Sequence, residues 1–190
     1  MSDESGRDAT AREVTLVSAQ LGRVPRGPWR VAARCAHGYP SAIVSPSRLA
    51  DGAPFPTYAW LTCPYLLETL AAEESAGAAA TWAQRAADDP QLVAALIATD
   101  AAVRAARTHE SGGEDACATV GIAGQRDPLG VKCLHAHVAL ALVGIKDPIG
   151  VEELGKIEPT CSDVRCRLLA TGTLRRHEED PWHGHDGLPR

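Results

Sequence analysis

Cys133, His135 and His137 fall within five residues of one another, the densest group of metal-capable side chains in the chain. Thiolate sulfur and imidazole nitrogen suit zinc, iron or redox chemistry. The same residues at the head of an apolar run also suit the buried start of a core helix. Four more cysteines bear on the question. Cys35 ends a short apolar segment, Cys63 precedes a proline, and Cys161 and Cys166 are separated by four residues, a gap used by paired zinc ligands. Cys117 has no ligand-type neighbour in sequence. Reduced structural thiols are the competing reading for all six.

Helical phase constrains the densest group. A helix over residues 131–143, which the run of alanine, leucine and valine favours, sets Cys133 and His137 on one face and His135 about 200° away from Cys133. The three then cannot share one ion. Cys133 pairs either with His137 or with His135 at a frayed first turn, and further ligands must arrive from elsewhere.

The elements that must supply them are legible in outline. Two short strands flank the turn His37-Gly38-Tyr39-Pro40, with Val31, Ala33 and Cys35 on one face of the first and Ile43 near the centre of the second. A third strand covers residues 57–63. Pro64 then opens a helix over residues 64–76 with Gly77 as its stop, so Cys63 sits at the helix N-terminus. The positive end of the peptide dipoles there favours thiolate over thiol. Further helices run through Thr81, Trp82 and Gln84, and from Asp89-Pro90 to about Arg107. The fold class expected is α+β: short N-terminal strands followed by a mainly helical C-terminal part, in one domain over residues 21–174. Residues 1–20 read as a polar extension and residues 175–190 as a polar tail, in which His183 and His185 have no preorganised partners.

A glycine-rich stretch, Gly121-Ile122-Ala123-Gly124 through Gly130, leads into the 131–143 helix. Such a lead-in can present backbone N–H groups to an anion, with Arg126 and Lys132 adding charge. It is not a P-loop, because five residues separate Gly124 from Gly130 and no Lys-Ser or Lys-Thr pair follows directly.

Composition narrows the function classes. The net charge of −5 argues against a general nucleic-acid binder. Residues 14–50 nevertheless hold Arg23, Arg26, Arg30, Arg34 and Arg48 and no acid, and these arginines are expected to pair with acids such as Glu68, Glu73 or Glu74 elsewhere in the fold. No apolar segment is long enough to span a bilayer and no secretory leader is visible, so the expected setting is cytoplasmic, with reduced thiols.

Three strings, Phe55-Pro56-Thr57 through Trp60-Leu61-Thr62-Cys63-Pro64-Tyr65-Leu66, Gly121-Ile122-Ala123-Gly124, and Val131-Lys132-Cys133-Leu134-His135, resemble the bacterial domain-of-unknown-function family 501. Arg34-Cys35 with Gly38 and Pro40 also fits, and the resemblance covers roughly residues 21–166. It places Cys35, Cys63, Cys133 and His135 on family motif positions, whereas position 137 is commonly apolar in relatives. The family has no established activity, and its members are often encoded near exopolyphosphatase-type enzymes. The expectation is a metal site, zinc or iron–sulfur, built from Cys35, Cys63, Cys133 and His135. Two alternatives stand beside it. One is a thiol-dependent enzyme acting on an anionic or phosphorylated substrate through Cys63 and His135. The other is a binding or adaptor module that engages a protein partner in phosphate metabolism.

Overall fold

The computed structural model describes residues 8–171. The first element is a helix, α1 (Ala11–Leu21), where a polar extension was expected. Its start is a capping box. Thr10 Oγ1 accepts from the Glu13 amide, and the Glu13 carboxylate accepts from the Thr10 amide at 2.7 Å. Leu16 and Val17 are buried, and Gly22, at a φ of 73°, ends the helix in the left-handed conformation. This apolar stripe is what turns the extension into structure. The tail expected over residues 175–190 lies outside the described residues.

Three antiparallel strands follow, β1 (Arg30–Arg34), β2 (Pro40–Val44) and β3 (Ala59–Leu61), in the order β1-β2-β3. The central strand is buried at every position because the sheet is covered on both faces. Ile43 packs with Val17 and Trp29 on the α1 side, while Val44, Ala59 and Leu61 join the larger core on the other. Register shifts on either side of Ala33 disturb the β1–β2 pairing. Cys35 consequently leaves the strand face on which alternation had placed it and sits in the turn, its amide bonded to the Tyr39 carbonyl.

The remainder is helical: α2 (Pro64–Ser75), α3 (Ala78–Asp88), α4 (Pro90–Glu110), α5 (Leu134–Leu142), α6 (Pro148–Lys156) and α7 (Arg165–Ala170). Prolines open α2, α4 and α6 at their first positions. Asp89 and Asp147 cap α4 and α6 through bonds to the amides of Leu92 and Gly150. Leu70, Leu96, Val103, Leu134, Val138 and Ile149 form the centre of the core, each worth about 1.5–3 kcal/mol of burial. The α+β class and the single domain hold, with a three-stranded N-terminal sheet followed by a mainly helical part.

Arg107 is fully buried and organises the connection between α4 and α5. Its guanidinium donates to both Asp115 carboxylate oxygens and to the carbonyls of Pro56, Cys117 and Val120. Three of the five arginines of residues 14–50 are paired, though with other acids than those expected. Arg30 meets Glu110, Arg34 meets Glu13 and Arg48 meets Glu114, while Arg23 lies over the Trp60 ring.

Candidate metal site

The helix expected over residues 131–143 starts at Leu134, and Cys133 is its N-cap in extended backbone, with φ −161° and ψ 125°. The helical phase argument therefore does not reach Cys133. Its Sγ lies 3.4 Å from His135 Nδ1, the arrangement in which the first turn gives way. His137 goes elsewhere: its Nδ1 is 2.8 Å from Asp147 Oδ2, and both side chains are buried. His137 thus fastens α5 to the start of α6 and takes no part with Cys133.

The third member of the site comes from the last turn of α2. Glu74 Oε1 is 3.0 Å from His135 Nδ1 and accepts the Leu134 amide, capping α5 from a neighbouring helix. Among the described residues, Glu74, Cys133 and His135 form the group whose ligand atoms all lie within 4.8 Å of one another. His135 is buried, whereas Cys133 and Glu74 are partly exposed, so one side of the group reaches solvent.

The second imidazole nitrogen decides the state of the first. His135 Nε2 is 3.0 Å from the Leu67 carbonyl, which only accepts, so Nε2 carries a hydrogen and donates it. In the neutral ring Nδ1 is then a bare lone pair aimed between sulfur and carboxylate. Backbone anchoring of one nitrogen with the other turned to the donor group is how metal-binding histidines are held. Without an ion, a proton occupies that place. Burial opposes the imidazolium, but Cys133 and Glu74 outweigh it and push His135 up to about 10. Burial by itself would raise Glu74, yet His135 and the Leu134 amide hold it below its ordinary value.

Cys35 and Cys63 do not join this group. Cys63 stands at the opposite end of α2 from Glu74, eleven positions away, about 16 Å at the helical rise of 1.5 Å. With Cys35 it lines a separate cavity. The expected activation of Cys63 is also reversed. Burial pushes its thiol up, and the amides of Leu66 and Tyr65 do not offset that. His135, with Nε2 on Leu67 and Nδ1 on Cys133 and Glu74, has no nitrogen left to act as base on Cys63. Cys117 is a buried thiol 3.8 Å from the Ser47 carbonyl.

Arg126 and Lys132 are exposed on the connection that leads to α5. Backbone amides there are largely used within the protein. Gly121 N–H bonds Gln125, Gly124 bonds Gly121, Gln125 bonds Ile122, Gly130 bonds Asp127, and Ile122 N–H reaches Asp100 Oδ1. The glycines serve close approach: a Cβ on Gly121 would lie 1.4 Å from Asp100 Oδ1.

Glu74 is the site residue that sequence reasoning missed. It had been read only as a partner for arginines, and no local spacing joins it to His135, since the contact depends on how α2 packs on α5.

These features define a small α+β protein with a cysteine–histidine–glutamate group at a helix start. The sequence profile of the family described as "Protein of unknown function (DUF501)" matches residues 31–154, more than half of the chain, and the chain belongs to that family. No curated protein and no solved structure matches it significantly. Among the described residues no helix is long and apolar enough to cross a membrane.

Proposed function

We propose that the protein binds one divalent transition-metal ion, of the zinc class, through Glu74 Oε1, Cys133 Sγ and His135 Nδ1. The observation that carries this reading is the aim of His135. Its Nε2 is held by the Leu67 carbonyl, and its Nδ1 is 3.0 Å from the carboxylate and 3.4 Å from the sulfur. In a base–thiol relay the carboxylate and the thiol would sit on opposite nitrogens of the ring, each with its own proton to manage. Here both are on the same nitrogen. One oxygen, one nitrogen and one sulfur converging on a point is a donor set suited to zinc, and three protein ligands leave a fourth position for water or a substrate atom. An iron–sulfur cluster, held predominantly by cysteines, does not suit a group with a single thiol. A water on that fourth position would be acidified by the ion, which gives the site hydrolytic potential.

Metal analysis of the full chain, purified without chelators, tests the proposal. About one equivalent of zinc is expected to disappear in Cys133→Ser and in His135→Ala, and to fall in Glu74→Gln. Zinc content that is identical in all three variants, with the fold retained by circular dichroism, would leave the group as a proton-filled helix cap and overturn the reading.

A further inference from the structure

Four cysteines remain outside the Glu74–Cys133–His135 group and apart from Cys117, and they lie around the other end of α2. Cys35 lies in the turn after β1, Cys63 is the N-cap of α2, Cys161 is in the loop after α6, and Cys166 is in the first turn of α7. Cys35, Cys63 and Cys161 line one cavity of about 280 Å³, together with His37 and Ser41. Cys166 Sγ accepts from Gln20 Nε2 at 3.2 Å, and the same amide donates to the carbonyl of Pro40, next to Ser41 of the cavity wall. Burial is the main cause that pushes the Cys166 thiol up to about 11; Gln20 opposes it with a hydrogen bond, and Cys63, Cys35 and Cys161 add repulsion. Cys63 is raised by burial first, and by Cys35 and Cys161 as well.

The four come from three separate stretches of the chain, and a cation held among them would favour the thiolate form that burial disfavours. Ser41, whose Oγ is buried without a hydrogen-bond partner among the described residues, adds an unsatisfied polar group to the cavity wall. The loop that supplies Cys161 is tied to the turn that holds Cys35, through His37 Nε2 and the Cys161 carbonyl at 3.1 Å. Between Cys161 and Cys166, Val164 takes a φ of 44°, a conformation that β-branched residues rarely adopt, immediately ahead of α7.

We propose that Cys35, Cys63, Cys161 and Cys166 ligate a second metal centre, all-cysteine and separate from the first, which fastens the segment after α6 to the end of the sheet. The chemical class is a thiophilic metal, as an iron–sulfur cluster or as a single zinc ion. No three of these sulfurs lie within 4.8 Å of one another. A zinc ion with Zn–S of about 2.3 Å needs sulfurs about 3.8 Å apart, so it would require the loop carrying Cys161 to close further. A cluster attaches its thiolates to different irons and spans a wider cage. Two of the four ligands lie within the family-matched residues 31–154, and two lie beyond them.

The test uses the full chain purified anaerobically without chelators, with assays of zinc, iron and acid-labile sulfide. The expected result is a metal content that survives Cys133→Ser, which empties only the first site, but is lost in Cys35→Ser and in Cys161→Ser. Labile sulfide with visible absorption identifies the cluster, and a colourless protein with additional zinc identifies the single ion. Because loss of the fold in a serine variant would also lose the metal, alkylation of the unaltered protein gives a second readout. Cys35 and Cys161 are half-buried, and their alkylation, mapped by mass spectrometry, is expected to accelerate about tenfold or more when a chelator removes the metal and frees the thiolates. The proposal is overturned by a metal content insensitive to Cys35 and Cys161, or by fast alkylation of both that a chelator leaves unchanged.

Discussion

Arg107→Met removes a guanidinium from the interior while keeping most of the side chain's length, and it isolates one electrostatic claim. Arg107 is wholly buried and the Asp115 side chain is 4% exposed. The substitution leaves Asp115 with the Cys117 amide as its remaining donor at 2.8 Å, and strips a donor from the carbonyls of Pro56, Cys117 and Val120. Breaking a buried pair by deleting one partner costs about 3–5 kcal/mol, mainly because the other charge is stranded. In a chain of this size each kcal/mol lowers Tm by about 2–4 °C, so a loss of about 6–20 °C is expected. Urea unfolding followed by circular dichroism measures the free energy, and calorimetry the Tm. The double variant Arg107→Met/Asp115→Asn removes the stranded charge and should recover about half of the loss. A single variant destabilised by less than about 1 kcal/mol, or a double variant no better than the single, would refute the claim that Arg107 compensates Asp115.

Two glycines of α6 form a matched pair. A Cβ on Gly150 would lie 2.1 Å from the His137 carbonyl oxygen, so Gly150→Ala must push α6 from α5 and should cost about 1–3 kcal/mol in urea unfolding. Gly155 has open space around it, and Gly155→Ala should instead stabilise by about 0.5–1 kcal/mol; equal effects at both positions would contradict the packing described. Acid sensitivity is the third expectation. Burial works to raise Glu13, but the Thr10 amide and hydroxyl and Arg34 outweigh it, so its folded pKa is below 4.5; Asp115 is likewise held below 3.8 by Arg107 and the Cys117 amide against its burial. Both groups contribute stability that is present above those values and is lost as pH falls through the lower folded ones. The urea midpoint should therefore drop below about pH 4.5, with a shallower drop in Glu13→Gln; parallel profiles for the two proteins would count against the role given to Glu13.

Much of the fold was legible where local rules and burial agree. Alternation marked the strands, and Cys63-Pro64 and Asp89-Pro90 marked helix starts because an N-cap followed by proline suits the first turn. The same rules were available and unread at two other places. Thr10 and Glu13 spell the capping box of α1, with Val14, Val17 and Leu21 on one stripe, but the polar composition around them hid it. Asp147-Pro148 repeats the signal of Asp89-Pro90 and opens α6. The site divided along a physical line. Cys133 and His135 are neighbours in sequence, so their contact needed only the correct first residue of α5. Glu74 reaches them across a helix interface, and no one-dimensional pattern encodes that. Cys35 and Cys63 were read as companions of Cys133 and His135, but in the fold they line a separate cavity at the other end of α2, a separation set by how the helices pack and not by any local spacing.

The length of α2 acquires a meaning of its own. With Cys63 at its first end and Glu74 in its last turn, the helix is a spacer that holds a thiol at one tip and a carboxylate at the other. Inserting or deleting one residue between them would turn one tip relative to the other by about 100° and slide it by about 1.5 Å. Neither tip could then be kept in place without displacing the other, so α2 should tolerate substitutions along its exposed side far better than any change in its residue count.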